Sequence, residues 1–139
     1  MKFVDASVFV HAFIQPKREL KPHEERIKRS ARQIVKRIDA GEEVVISTVH
    51  LSEIANILED FMPLNNALEI ISSLVSKPSI MVLNVTGRDC VKALLTAQTN
   101  AIGFSDAIAY VLMSDRNIQE IYSFDKDFEN IKGIKRINA

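Results

Sequence analysis

Short apolar runs of strand length alternate along this chain with stretches of helical periodicity, and that alternation limits what it can fold into. KFV, EVVIS, IMVLNV and IQEIYSF each precede a segment whose apolar residues recur every three or four positions, apart from the last, which leads to a turn-like SFDKDF and a final GIKRI. Repeated strand-then-helix order makes each chain segment return to the same end of a sheet, which gives parallel strands. The expected fold class is therefore α/β, with a central, mainly parallel β-sheet flanked by helices on both faces. At 139 residues and 47% apolar content, one core is expected to take in the whole chain, residues 1–139.

The expected elements follow in order. After KFV comes a short, mostly buried helix over 7–14, then a polar loop over 15–21. Pro22, with Glu24 and Glu25, starts a helix whose inward stripe is Ile27, Ala31, Ile34, Val35 and Ile38, and Gly41 closes it. Ser47 or Thr48 caps a helix running through Phe61 on the stripe Leu51, Ile54, Leu58 and Phe61. Pro63 opens the next, with Leu64, Leu68, Ile71 and Val75 inward. Thr86 caps a helix carrying Val91, Leu94 and Leu95, and Ser105 caps one so apolar all round that it must be buried. GIKRI supplies a last short strand at an edge.

Eighteen basic and eighteen acidic residues cancel, so bulk charge selects no partner. Their distribution is less even, because residues 17–37 hold nine Lys or Arg against three acids. One cysteine, Cys90, excludes an internal disulfide and fits a reducing compartment. No run approaches the length of a membrane span, and Asp5 interrupts the apolar opening that otherwise resembles a secretory signal. A cytoplasmic protein with no membrane partner is expected. His11, His23 and His50 lack metal-ligand spacing and there is no Cys pair, so no zinc site is expected.

Four carboxylates occupy equivalent places. Asp5 follows the first strand, Glu53 lies early in the helix after EVVIS, Asp106 sits in the first turn of the buried helix, and Asp125 follows IYSF. In a parallel sheet, strand carboxyl ends and the starts of the following helices share one rim, so these acids are placed to converge. Clustered carboxylates repel one another unless a cation lies between them, and an all-oxygen set suits Mg²⁺ or Mn²⁺. Taken singly, each acid also fits a plain role: Asp5 and Asp106 as helix caps or first-turn acids, Glu53 as a solvated side chain, Asp125 as a turn residue. Asp127 is equally placed to be the fourth acid.

At these four places the chain resembles the PIN-domain nucleases, and within them the small toxins of VapC type. VDASVFV is similar to the family's first motif, STVHLSEIANIL to the second, GFSDAIAYVLM to the third and IYSFDKDFENI to the fourth. The resemblance implies that Asp5, Glu53, Asp106 and Asp125 form an acidic catalytic and metal-binding quartet, supported by the hydroxyls of Ser7 and Ser123. It implies Mg²⁺- or Mn²⁺-dependent endonucleolytic cleavage of single-stranded or structured RNA, as the toxin of a type II toxin-antitoxin pair, with a cognate antitoxin and a homodimer. The helix from Pro63 to Val75 adds a hint of self-association, since Ile70 and Leu74 lie off its narrow stripe.

Within the basic segment, Lys17, Arg18, Lys21, Arg26 and Arg29 are the candidates to hold RNA phosphates beside an acidic pocket. Two rival readings are a catalytically silent RNA- or protein-binding module and a housekeeping RNA-processing nuclease. A phosphatase would prefer a second Asp two positions after Asp5, where Ser7 stands. No phosphate-cradling Gly-rich run with Lys supports an NTPase.

Overall fold

A computed structural model describes residues 1–139. Five strands, β1 (Lys2–Val4), β2 (Val44–Ser47), β3 (Ile80–Leu83), β4 (Glu120–Tyr122) and β5 (Lys135–Ile137), form one sheet in the order β3-β2-β1-β4-β5. Every neighbouring pair is parallel. Six helices accompany them: α1 (Ala6–Phe13), α2 (Pro22–Asp39), α3 (Thr48–Phe61), α4 (Leu64–Ser76), α5 (Gly87–Asn100) and α6 (Phe104–Asp115), with a 3₁₀ turn at Lys126–Asn130 before β5.

Strand order and helix placement are linked by handedness. The chain first steps outward from β1 to β2 to β3, and then crosses back to β4 on the other side of β1. Right-handed crossovers in opposite directions put their helices on opposite faces. Accordingly α1 to α4 share a core with Val4, Val44, Ile46 and Ile80, whereas α5, α6 and the 3₁₀ turn share one with Phe3, Val45, Leu83 and Ile121. The period-2 alternation of strand side chains sorts adjacent residues between the two cores.

Caps agree with the local chemistry in two cases. Ser47 caps α3 by accepting the His50 N–H at 3.1 Å. Thr86 and Asp89 exchange bonds with each other's backbone N–H, a capping box that starts α5. Ser105 is not a cap: α6 starts two residues earlier, with Gly103 at the N-cap and its carbonyl accepting the Ala107 N–H at 3.0 Å.

Three inward stripes differ from expectation. On α4 the buried residues are Ala67 and Leu74, with Ile70 and Ile71 half-buried, while Leu64, Leu68 and Val75 face out. On α5 Ala93 is buried and Val91, Leu94 and Leu95 are exposed. Phe61, at the end of α3, is 62% exposed. Both helices carry apolar residues on more than one face, and small alanines win the inward positions because they permit close approach. The basic segment over 17–37 falls in a short loop and in α2. No helix is long and apolar enough to cross a membrane.

Candidate active site

Because the order of strand addition across the sheet reverses between β1 and β4, the carboxyl ends of these adjacent parallel strands open a crevice, the place where open parallel sheets hold ligands. Asp5 leaves β1 there, and its N–H donates to the Tyr122 carbonyl of β4 at 2.9 Å. Its side chain, 5% exposed, caps no helix amide. Instead the hydroxyls of Ser7 and Ser123 both donate to Asp5 Oδ2, at 2.7 and 2.9 Å. The same hydroxyls accept the N–H groups of Phe124 and Asp125 at 3.1 and 3.0 Å. Two serines thus tie the end of β4 to the end of β1, and no bond within the chain involves Asp5 Oδ1.

Glu53 comes from the second turn of α3, and Asp106 from the first turn of α6. Together with Asp5 and Asp125 they line a cleft of about 230 Å³ that also meets Ser7, Val10, His11 and Ile57. A cluster within this region joins carboxylate oxygens of Asp106, Asp125 and Asp127, all within 4.8 Å of one another. Asp127 is exposed at the rim and does not line the cleft. Its backbone N–H donates to Asp125 Oδ1 at 2.9 Å. His11 is outside the core: its ring meets Phe124 edge-on at 5.5 Å and borders the acids.

Within the chain the charge of these acids is uncompensated. Burial, followed by the Asp125 and Asp5 charges, pushes the Asp106 carboxyl up to about 8. Burial raises Glu53 as well, followed by Asp5 and Asp125. The four ion pairs in the chain, Arg18–Glu24, Lys77–Asp39, Lys92–Asp115 and Arg136–Glu129, leave all of these acids without a basic partner. Carboxylate oxygens gathered without thiolate or a counter-cation fit a hard divalent ion, and the space admits its retained waters.

Beneath the site, fully buried His50 sits in the first turn of α3 with Nδ1 2.6 Å from Ser47 Oγ and its ring edge-on to Phe3. The Ser105 backbone approaches its ring, and Nε2 makes no well-formed hydrogen bond. Nothing in the spacing of the histidines marks it; only the combination of an N-cap Ser with a His three positions on does.

The basic candidates separate. Arg18 is paired with Glu24 and borders an apolar groove next to the acids. Arg29 lines a different, basic cleft with Lys28, Arg32 and Lys36. Lys17, Lys21 and Arg26 line neither. Lys28, Arg32 and Lys36 were not singled out in the sequence, although their four-residue spacing puts them on one helix face.

An α/β sheet with unpaired carboxylates gathered at its switch point defines a candidate phosphotransfer or phosphodiesterase-type metal centre. The sequence profile described as "PIN domain" matches residues 2–134, and the chain belongs to that family. Among solved structures it is similar to Mycobacterium tuberculosis VapC20, described as a sarcin-ricin loop cleaving toxin. That likeness has 20% identity, 93% of each chain covered and a TM-score of 0.69. It is also similar to a toxin-antitoxin complex from Klebsiella pneumoniae, with 14% identity, 97% of this chain and 96% of that one covered, and a TM-score of 0.66. A third likeness is to PAE2754 from Pyrobaculum aerophilum, with 17% identity, 97% and 87% covered, and a TM-score of 0.61. No curated protein sequence matches the chain.

Proposed function

We propose that this chain is a Mg²⁺- or Mn²⁺-dependent endoribonuclease and the toxin of a toxin-antitoxin pair. One observation carries the reading: Asp5, Glu53, Asp106 and Asp125 line a single cleft with no basic side chain paired to any of them. The description of VapC20 as a sarcin-ricin loop cleaving toxin and the Klebsiella toxin-antitoxin complex support the substrate and the partner.

Asp5, Asp106 and Glu53 would hold the principal ion, and Asp125 would complete its shell or hold a second, with Asp127 at the rim. Bound there, a divalent ion supplies Lewis acidity toward the scissile phosphate and lowers the pKa of water. The chain's own contribution is to fix the ligands. Ser7 and Ser123 satisfy one oxygen of Asp5, so the other is left for the cleft. Apolar, half-buried walls from Val10 and Ile57 border the acids and lower the local dielectric, where charge is worth more. Glu53 and Asp125 border the space in which an attacking water would be oriented.

A homodimer in a cytoplasmic setting completes the reading, supported by the apolar residues left exposed on α4 and α5. Light scattering across the micromolar range tests it, and a monomer throughout would remove it. The chemistry is tested by Mn²⁺ calorimetry together with cleavage of a labelled, partly structured RNA. We expect binding and cutting, both lost with EDTA; an RNA cut equally in EDTA would contradict the reading.

A further inference from the structure

Two clefts beside the acids are continuous with them. The acid cleft shares Val10, His11 and Ile57 with an apolar groove, which in turn shares Leu20 and Lys28 with a basic cleft on α2. The acids therefore open onto a trough that changes from negative to apolar to positive along its length.

Its positive end is expensive to build. Lys28 is only 7% exposed, and its ammonium donates to the carbonyls of His11, at 3.1 Å, and of Ile14. No carboxylate pairs with it, and the same holds for Arg29, Arg32 and Lys36. Glu25 borders the cleft but pairs with none of them. Like charges at four-residue spacing also weaken a helix. A buried cation satisfied by carbonyls alone, with three more basic groups beside it, leaves positive charge for an external anion to neutralise.

We propose that the cleft formed by Lys28, Arg29, Arg32 and Lys36 is a phosphate-binding site for the RNA strand, seated away from the scissile bond. That the anion belongs to RNA rests on the nuclease reading above. Side chains four residues apart on a helix repeat every ~6 Å, a spacing that suits successive charges of a nucleic-acid strand. The groove between offers apolar wall and the exposed ring of Phe61, which suits unstacked bases. Asp5 precedes α1 and Lys28 bonds to carbonyls at its far end, so the two lie about 12 Å apart along that helix. At the same ~6 Å repeat along an unstacked strand, the anchored phosphate falls about two nucleotides from the cut.

The test uses the double variant Arg29→Gln/Arg32→Gln, both exposed positions, with Lys135→Gln at the amino end of β5 as control. Binding of a labelled single-stranded RNA is followed against salt, with cleavage kinetics beside it. Each lost phosphate contact should reduce the salt slope by ~0.7 and weaken binding several-fold. KM should rise while kcat holds, because a remote contact is the same in ground and transition states. An RNA trimmed too short to reach Lys28 should bind wild type and double variant alike.

Normal cleavage with unchanged affinity and salt slope in the double variant would overturn the proposal and leave the nuclease reading intact; the cleft would then be open to an acidic protein segment. Weakened RNA binding by the double variant, with no cutting by wild type in any metal, would support the cleft as a phosphate site and sink the nuclease reading instead.

Discussion

Ser123 Oγ lies 2.9 Å from Asp5 Oδ2, a bond spanning 118 positions that joins the ends of the two strands flanking the switch point. Ser123 is fully buried, so the hydroxyl has no water to fall back on. Ser123→Ala removes this donor and also the acceptor for the Asp125 N–H. We predict a Mn²⁺ affinity about 10- to 100-fold lower, the usual effect of losing a group that orients a metal ligand, in a protein that still folds. Calorimetry and circular dichroism on the same sample check both halves.

Asp106 gives a pH dependence with a definite sign. Its folded-state pKa is pushed up to about 8 by burial and by the Asp125 and Asp5 charges, against an ordinary 3.8. Below the ordinary value both folded and unfolded chains hold the proton. Between the two values the unfolded chain ionises first, so cation-free protein loses stability as pH rises from about 4 through about 8. Thermal melts in EDTA should show that decline. Asp106→Asn should flatten it and raise the neutral-pH Tm, while abolishing cleavage. Identical melting profiles for the two proteins would contradict the assignment.

Lys28 has a structural as well as a proposed binding role. Its ammonium donates to carbonyls at the C-terminal end of α1, where the helix dipole favours a cation. Lys28→Met preserves the stem and removes the charge, and is expected to cost about 1–3 kcal/mol in urea unfolding. A stability change near zero would show that the two bonds add nothing.

Ser47→Ala is expected to be the more damaging cap removal. It deletes the acceptor for the His50 N–H and leaves the Nδ1 of a fully buried imidazole unpaired. The loss should exceed the ~1 kcal/mol usual for an N-cap, whereas Thr86→Ala at the exposed box of α5 should stay near that value. Comparing the two melting temperatures separates the contributions.

The sequence carried the strand-helix alternation, the parallel sheet and the positions of the four acids, because strand length, helical period and the rim rule are local or topological properties. It misled where helices offer apolar residues on several faces. Leu64, Leu68 and Val75 on α4 and Val91, Leu94 and Leu95 on α5 were expected inward and are exposed. The inward choice is made by Ala67 and Ala93, whose small size matters only once a partner helix is present. Similarly, Lys28 reads as one more residue of a charged helix face. Its burial comes from α1 packing across α2, which no local pattern records.

The most direct test of the central claim is the single-turnover cleavage of a labelled, partly structured RNA by wild type and Asp5→Asn in Mn²⁺. The account predicts that wild type cuts and that the variant, folded by circular dichroism, falls by about 100-fold or more. Cutting by Asp5→Asn at the wild-type rate would contradict it.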